Sequence, residues 1–353
     1  MVIPLKYAVR YVIGKMYNDY TTVRKEFEKD QFKMNSAIRK YWSQYKWSNV
    51  FAMIKNMKRH PRRNTEPFRD KLVVITGATA GIGYYTARKY AAMGAHLIMV
   101  NRNPEKSEQV RREIAEEFGS PTEYVIADLA LLTDIQRVGQ YLLSLEKPID
   151  VLIHNAGVHL ESRKETAEGL DVNFVVHYLC PLIITRMLMP KYQRDRTGRI
   201  IFVSSEAYRF AVWGLDLEDL QWKRRRYSGI KAYGAGKLAQ IQSMHILARE
   251  LSPYNETINA MHPGMVRTES GKDNGRLYQW YKKNIIDKYS GSPEVSAEAL
   301  YYLGASPEVK HRSDVFFHLT TEEELTPPAR DLEAAEVLWE KTRELFHEKG
   351  IAL

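Results

Sequence analysis

The chain of 353 residues contains 44% hydrophobic and 27% charged residues, and its mean hydropathy is −0.43. This composition is typical of a soluble globular protein and excludes a chain that is disordered throughout. The sequence has no stretch of about 18 uncharged apolar residues, the length that a membrane-spanning helix needs. Its one cysteine, Cys180, excludes an internal disulfide framework.

The positive charge, +9 overall, is concentrated in the first part of the chain. Residues 1–66 contain 15 Lys and Arg residues against five acidic residues, whereas residues 67–353 contain 37 against 38. We therefore divide the chain into a basic, aromatic-rich helical extension, residues 1–66, and a main domain, residues 67–353.

The extension begins with an apolar, acid-poor segment. Val2–Ile13 is interrupted only by Lys6 and Arg10, and no acidic residue precedes Asp19. This pattern predicts either a short helix at a membrane interface or part of an organelle-targeting signal. We therefore expect a membrane-associated, intracellular protein, with the mitochondrion favoured over the endoplasmic reticulum.

Two amphipathic helices are predicted for the rest of the extension. Apolar residues recur at helical spacing over residues 23–41 and again over residues 47–54, with a break near Ser43. Their apolar stripes either cover the main domain or bind a protein partner or an anionic membrane surface. The basic cluster Lys58–Arg63 is interpreted as a linker, because Pro61 disfavours helix at the residue before it. Nucleic-acid binding is not expected, since no recognised nucleic-acid module accompanies the charge.

From residue 71 onwards, short apolar strands alternate with amphipathic helices. This alternation predicts an α/β fold, a single doubly wound Rossmann-type domain whose parallel sheet is covered on both faces. The predicted strands are Leu72–Thr76, His96–Asn101, Tyr124–Ala127, Val151–His154, Arg199–Ser204 and Thr257–His262. The predicted helices lie near residues 81–93, 104–118, 132–145, 168–190, 231–252, 295–304 and 331–348.

A glycine-rich turn follows the first strand. Its glycines are spaced so that backbone N–H groups approach a pyrophosphate at the N-terminus of the next helix. The turn lies between a strand and a helix, which is the context that a dinucleotide-binding motif requires. The predicted cofactor-binding residues of this turn are Thr76, Gly77, Thr79, Ala80, Gly81, Ile82 and Gly83.

Arg102 directly follows the second strand. An acidic residue at this point would bind the ribose of NAD, whereas a guanidinium accepts the additional phosphate of NADP. Arg102 therefore predicts NADP(H) in preference to NAD(H), with an ordinary surface charge as the alternative.

Further short motifs follow in a fixed order. They are Asp128-Leu129, Asn155-Ala156-Gly157, Ser204-Ser205 and Tyr233-Gly234-Ala235-Gly236-Lys237. Together with the glycine turn they resemble the short-chain dehydrogenase/reductase family over about residues 68–348. The spacing of 28 residues between Ser205 and Tyr233 is similar to that of the branch around the retinol dehydrogenases.

The resemblance implies further contacts with the dinucleotide. Pro263-Gly264-Met265-Val266-Arg267-Thr268 is similar to the family's segment beside the nicotinamide. The additional cofactor-binding residues that the resemblance implies are Asp128, Leu129, Asn155, Ala156, Gly157, Tyr233, Lys237, Pro263, Gly264, Val266 and Thr268. No metal site is predicted.

Tyr233 and Lys237 are the central catalytic candidates. On a helix they are four residues apart and lie on one face, so the ammonium of Lys237 is able to lower the pKa of the Tyr233 phenol. Tyr233 then serves as general acid or base. We expect Ser205 to hydrogen-bond the substrate oxygen, Lys237 also to bind the nicotinamide ribose, and the cofactor to carry the hydride.

One position departs from the family pattern. The family has an Asn on the helix after Asn-Ala-Gly that holds a water near the lysine, and the spacing of 22 residues from Asn155 places His177 there. Asn173 lies one helical turn earlier. A histidine titrates near neutrality and is able to relay a proton, so His177 is included among the catalytic candidates. Because a histidine side chain is bulkier than that of asparagine, His177 at this position also allows reduced activity.

Two functions from different classes are compatible with the sequence. A predicted lid over residues 269–291 is rich in aromatic residues and suits a hydrophobic small-molecule substrate. The first hypothesis is therefore an NADP(H)-dependent oxidoreductase acting on a hydrophobic carbonyl or alcohol. The alternative is a dinucleotide-binding but non-catalytic accessory subunit of a larger assembly, for example at a mitochondrial membrane.

Overall fold

The computed structural model describes residues 36–46, 48–49, 52, 56, 60–196, 198–264 and 291–351. The predicted interfacial segment Val2–Ile13 lies outside these residues, as do Val266, Thr268 and all of the predicted lid except Gly291.

An eight-stranded sheet forms the centre of the described domain, in the order β3-β2-β1-β4-β5-β6-β7-β8. All neighbouring strands are parallel except β7 and β8, which are antiparallel. The strands are β1 (Leu72–Thr76), β2 (His96–Asn101), β3 (Thr122–Ile126), β4 (Val151–His154), β5 (Arg199–Val203), β6 (Thr257–His262), β7 (Val315–His318) and β8 (Thr321–Glu322). The predicted doubly wound Rossmann-type fold is confirmed.

Helices cover both faces of this sheet. They are α2 (Gly81–Ala92), α3 (Pro104–Phe118), α4 (Leu132–Ser144), α5 (Val172–Met187, with a π-helical turn over Val175–Leu179), α6 (Met189–Asp195), α7 (Gly229–Leu251), α8 (Pro293–Ala305) and α9 (Leu332–Glu348). A further short helix, α1 (Ser36–Tyr41), belongs to the extension.

The side chains of each strand alternate between two buried cores. Val73 and Ile75 of β1 pack with Tyr90 and Tyr301 on the face that α2 and α8 cover. Leu72 and Val74 point to the opposite face, into the core that α5 and α7 help to form. Because successive strand residues point to opposite sides, a strand covered on both faces is apolar at every position. This explains why the central strands are continuous apolar runs in the sequence.

The structure corrects the sequence prediction in several places. β7 and β8 were not predicted, and they are short, with Leu319 at φ +54° in the turn that joins them. The helix predicted near 168–190 begins at Val172, where Asp171 caps it by accepting a hydrogen bond from Phe174 N at 3.0 Å. Its π-helical turn was not predicted either, and such turns are frequent at functional sites.

The described part of the extension packs against the chain's own domain. The hydroxyl of Tyr41, which is buried, donates to the Asp331 carboxylate at 2.6 Å. Trp42 stacks on Trp213 with ring centroids 6.2 Å apart, and Tyr45 donates to the carbonyl of Val212 at 2.6 Å. For these residues the aromatic side chains cover the domain, which is one of the two roles that the sequence left open.

Two further basic segments make contacts within the chain. In the predicted linker, Arg62 N donates to Thr320 Oγ1 at 2.8 Å and its guanidinium pairs with Glu308. The second segment comprises residues 223–226, which precede α7. There the guanidinium of Arg225 lies 3.7 Å from the centre of the Trp222 ring. These arginines therefore help to fasten surface segments to the fold.

Within the described residues, no single helix has the length and apolar composition needed to cross a membrane. The bent pair Val172–Met187 and Met189–Asp195 meets both criteria only when its two helices are taken together.

The contact between α2 and α8 allows a stability prediction. A Cβ on Gly304 would lie 2.0 Å from the hydroxyl of the fully buried Tyr90 and 3.1 Å from Val151. We expect Gly304→Ala to destabilise the fold by about 1–3 kcal/mol, since overpacking outweighs the gain in helix propensity. Urea unfolding measures the change.

Tyr90→Phe is the matched partner for this variant, because it removes only the hydroxyl against which the new methyl group would clash. We expect Gly304→Ala to lower the free energy of unfolding by less in the Tyr90→Phe background than in the wild-type chain. Additive losses in the double variant would show that this contact is not the cause.

Candidate active site

The glycine-rich turn joins β1 to α2 at the carboxyl edge of the sheet. Gly77 has φ +70° and Gly81 has φ +55°, conformations that favour glycine. A Cβ on Gly83 would lie 2.0 Å from the carbonyl oxygen of Gly77, so the first turn of α2 approaches the loop too closely for any side chain. Within the described chain, no side chain caps the α2 N-terminus. Its N–H groups therefore remain available to an anion.

Asn155 and Thr76 hold this turn in place. The Asn155 amide donates to the carbonyls of Thr76, at 3.0 Å, and Gly77, at 2.9 Å. In return, Thr76 Oγ1 accepts hydrogen bonds from the backbone N–H groups of Asn155 and Ala156, both at 3.0 Å. Two of the predicted cofactor-binding side chains thus join the ends of β1 and β4 and shape the cradle.

Asn101 is a member of this cradle that the sequence analysis missed. Its Oδ1 accepts a hydrogen bond from Ala78 N at 2.7 Å, and Gly77 N donates to Val100 O at 2.8 Å. The sequence signal that could have identified Asn101 is an amide side chain at the end of a buried strand. Arg102, the next residue, is exposed just beyond this contact.

Four further predicted cofactor residues, Asp128, Leu129, Pro263 and Gly264, lie at the same edge of the sheet. Asp128 Oδ1 accepts a hydrogen bond from Ala130 N at 3.0 Å, while the side chain of Leu129 is buried. Pro263 and Gly264 follow β6, and Pro263 O accepts a hydrogen bond from Ser296 at 2.6 Å. The partly or fully exposed residues of the cradle include Gly77, Thr79, Ala80, Gly81, Ile82, Asn155, Ala156 and Gly157.

Lys237 connects α7 to the sheet. Its buried Nζ donates to the carbonyl of Val203, the last residue of β5, at 2.7 Å. The same Nζ lies 5.9 Å from the centre of the Tyr233 ring, which confirms that the two side chains share one face of α7. Burial lowers the pKa of Lys237 to about 7. Without a bound anion, the lysine is therefore only partly charged at neutral pH.

Ser205 follows β5 and caps the short 3₁₀ helix Glu206–Phe210, because its Oγ accepts a hydrogen bond from Ala207 N at 3.1 Å. This helix packs closely on α7, where a Cβ on Gly234 would lie 2.5 Å from Ala207 O. Ser205 and Tyr233 are thereby carried by two elements in direct contact, and each of the two side chains is half-buried.

His177 lies in the π-helical turn of α5 and its ring packs edge-on against Tyr233, with centroids 5.0 Å apart. Its Nε2 lies 2.7 Å from the carbonyl oxygen of Val158 and 3.3 Å from Val158 N, and the shorter contact assigns the proton to Nε2. Its Nδ1 has no hydrogen-bond partner within the described residues. Burial and the neighbouring Lys237 hold the pKa of His177 well below its usual value.

Burial opposes the charged form of His177, so the titration near neutrality that suits a histidine to proton relay is disfavoured at this position. His177 stays neutral, and its ring connects the loop after Asn-Ala-Gly to Tyr233. His159 packs against the Tyr233 ring with centroids 5.4 Å apart, a contact that no sequence pattern indicated. The earlier Asn173 donates to the Tyr227 hydroxyl at 2.5 Å.

The lowered pKa of Lys237 predicts how stability depends on pH. Below about pH 7 the folded state must bury a charged ammonium, whereas above this pH it loses the proton before the unfolded chain does. This penalty is therefore complete at low pH and decreases as pH rises. Lys237→Met changes the free energy of unfolding, which urea unfolding measures. We expect this change to be about 2–3 kcal/mol more favourable at pH 6.5 than at pH 9.5.

Lys106→Met, at an exposed position of α3, is the control for removal of one lysine charge. A pH dependence that is the same for Lys237→Met and Lys106→Met would contradict a buried, desolvated ammonium at residue 237.

Comparisons with known proteins agree with this geometry. The family model described as short chain dehydrogenase matches residues 71–215, and the one described as Enoyl-(Acyl carrier protein) reductase matches residues 220–310. Retinol dehydrogenase 13 of Mus musculus is 31% identical over 298 residues, which cover 83% of this chain and 87% of that protein. Retinol dehydrogenase 14 of Homo sapiens is 33% identical over 297 residues, which cover 79% and 88%.

A solved structure gives the same result for the fold. The crystal structure of an uncharacterised protein from Mycobacterium Paratuberculosis superposes with a TM-score of 0.61 at 25% identity, and covers 80% of this chain and 96% of that one. The chain belongs to the short-chain dehydrogenase/reductase family, in its retinol-dehydrogenase-like branch.

Proposed function

We propose that this protein is an NADP(H)-dependent oxidoreductase that interconverts a hydrophobic alcohol and the corresponding carbonyl compound. The observation that carries the proposal is the placement of Tyr233, Lys237 and Ser205 on two contacting elements at the carboxyl edge of the sheet. The dinucleotide cradle lies at the same edge, where ligands bind in open α/β folds.

The residues of the cradle fit a nicotinamide dinucleotide. The close approach of Gly83 to Gly77 leaves no room for a side chain, and the uncapped N-terminus of α2 suits a pyrophosphate. Asn155 holds the turn in this shape through its two amide hydrogen bonds. When bound, the dinucleotide supplies or accepts the hydride.

The protein's own groups handle the substrate oxygen and its proton. Ser205 Oγ hydrogen-bonds the oxygen and orients the reacting carbon. In reduction, the Tyr233 hydroxyl donates a proton to that oxygen, and in oxidation the tyrosinate removes it. The ammonium of Lys237 stabilises the tyrosinate, and its own charged form is favoured by any anion that binds nearby.

The neutral state of His177 is compatible with this chemistry. Its Nε2–H is used in the hydrogen bond to Val158 O, and its ring supports the face of Tyr233. We therefore assign to His177 the placement of the tyrosine rather than proton transfer. Because the set of Tyr233, Lys237 and Ser205 is complete, we favour an enzyme over a non-catalytic accessory subunit.

The hydrophobic nature of the substrate is supported by two observations. Phe210 and Ile230, each 37% exposed, lie on the two elements that carry Ser205 and Tyr233. In addition, the curated relatives described above are named as retinol dehydrogenases. Retinol is an apolar alcohol, and this supports an apolar alcohol or carbonyl compound as the substrate class.

Tyr233→Phe tests the proposed mechanism. We expect NADPH-dependent reduction of apolar aldehydes and ketones to fall by about 10²–10⁴-fold, the usual contribution of a general acid or base. The affinity for NADPH, measured by protein fluorescence, is expected to stay within about twofold of wild type, because only one hydroxyl is removed.

The outcome that contradicts the mechanism is equal turnover by wild type and Tyr233→Phe. Binding of NADPH by the wild type without turnover of any member of the aldehyde and ketone panel would instead favour the accessory-subunit hypothesis.

Arg102→Ala tests the choice of dinucleotide. The lost charge-assisted hydrogen bond is worth about 1.5–3 kcal/mol, so we expect the Kd for NADPH to rise by about 10–100-fold. The Kd for NADH is expected to change little, because NADH lacks the additional phosphate. Both constants are measured by fluorescence titration.

Arg112→Ala is the matched control, since Arg112 is an exposed arginine on the following helix that pairs with Glu108. Equal losses of NADPH and NADH affinity in Arg102→Ala would contradict the assignment of Arg102 to the phosphate.

A further inference from the structure

A buried group of charged side chains lies directly behind Ser205. The buried ionic cluster consists of Glu206, Arg209, His318 and Glu323, and each of these residues is less than 9% exposed. Glu206 and Arg209 belong to the 3₁₀ helix that Ser205 caps, whereas His318 and Glu323 lie at the end of β7 and just after β8. The role proposed above for Ser205, Tyr233 and Lys237 does not use any of these residues.

Arg209 connects three separate segments of the chain through its guanidinium. Nε donates to Glu206 within the 3₁₀ helix, and Nη2 donates to Glu323 Oε1 at 2.6 Å. Nη1 donates to the backbone carbonyl of Asn49, in the extension, at 2.5 Å. One side chain thus joins the helix after Ser205 to the extension and to the β7–β8 hairpin.

The extension contributes a second hydrogen bond to the same cluster. Asn56, which is buried, donates from Nδ2 to Glu323 Oε2 at 2.8 Å. Each oxygen of the Glu323 carboxylate is therefore paired, one with Arg209 and the other with Asn56. Removing a partner from a buried carboxylate costs far more than removing an exposed ion pair, because water cannot replace the lost bond.

The buried ionic cluster places groups of both charge signs close together. Two carboxylates face one guanidinium, and His318 Nδ1 lies 3.6 Å from Glu323 Oε2 and 3.9 Å from Glu206 Oε1. Burial and the adjacent Glu206 carboxylate raise the pKa of Glu323. Because the Arg209 guanidinium faces two carboxylates away from water, displacing it would leave buried charge without a partner.

The orientation of Ser205 depends on the helix that contains Arg209. Ser205 Oγ accepts its hydrogen bond from Ala207 N, and Glu206 N lies within 3.4 Å of His262 Nδ1. A shift of this five-residue helix therefore moves the Ser205 hydroxyl. Misplacement of a reacting group by about 1 Å is able to cost about 10²-fold in rate.

We propose that Arg209 is a positioning residue, and that the extension, through Asn49 and Asn56, fixes the helix after Ser205 and thereby places the Ser205 hydroxyl for the substrate. The inference rests on the proposed function of Ser205. It assigns part of the N-terminal extension to the support of the active site.

Asn56→Ala in the full-length chain tests the inference without removing a charge. We expect kcat for reduction of an apolar aldehyde to fall by about 3–10-fold, since the Ser205 hydroxyl is less well placed. The Kd for NADPH is expected to remain unchanged, because the cradle is formed by other strands. Arg209→Lys keeps the charge but loses the forked contact, and a larger loss of kcat is expected for it.

Tyr41→Phe is the matched control. It removes another hydrogen bond between the extension and the domain, the one to Asp331, which does not involve the buried ionic cluster. We expect kcat of Tyr41→Phe to equal that of wild type. Equal loss of kcat in Asn56→Ala and Tyr41→Phe would overturn the proposal, since general loosening of the extension would then explain both.

Hydrogen exchange measured by mass spectrometry tests the mechanical link separately from turnover. We expect the backbone amides of residues 207–210 to exchange at least about threefold faster in Asn56→Ala and to be unchanged in Tyr41→Phe. Unchanged exchange of these amides in Asn56→Ala overturns the inference. If the wild type reduces no substrate, the proposed function fails, whereas the exchange result still decides whether the extension holds this helix.

Discussion

The hydrogen bond from Lys237 Nζ to the carbonyl of Val203 is the contact on which the arrangement of the site depends. It fastens α7, which carries Tyr233, to the end of the strand that leads into Ser205. Burial makes this contact costly, as the lowered pKa of Lys237 shows. A lysine that only stabilised the fold would gain little from such burial, because an apolar residue would fill the same space without desolvation.

The cradle for the dinucleotide is constructed on a similar principle, with polar side chains that join strand ends. Asn155 and Thr76 exchange hydrogen bonds across β1 and β4, and Asn101 fixes the turn from β2. Backbone carbonyl and N–H groups at the ends of parallel strands lack partners within the sheet. Side-chain amides and hydroxyls satisfy some of these groups and leave the N–H groups of α2 directed outwards.

Much of the fold was predictable because its signals are local. β1, β2, β4 and β6 have the predicted bounds, since buried strands are apolar runs with polar or glycine residues at their ends. β7 and β8 lacked such clear limits and were missed. The motif residues Tyr233 and Lys237 were recognisable because they follow the glycine turn and Asn-Ala-Gly in the order that resembles the family, and helical spacing places them on one face of α7.

Other features depend on contacts between distant parts of the chain and had no local signal. The neutrality of His177 follows from its burial beside Lys237, which the sequence does not reveal. The pairing of Arg209 with Asn49 likewise joins residues 160 positions apart. A sequence pattern identifies residue types and spacing, whereas desolvation and partners at long range are set by packing.

The buried ionic cluster joins residues on both sides of the boundary drawn near residue 66. That boundary separates regions of different charge, and the matched family region begins at residue 71, yet Asn49 and Asn56 contact charged groups in the centre of the domain. In engineering terms, a domain cut at the family boundary would lose both of these contacts. Arg209 and Glu323 would then each remain buried without one of their hydrogen-bond partners.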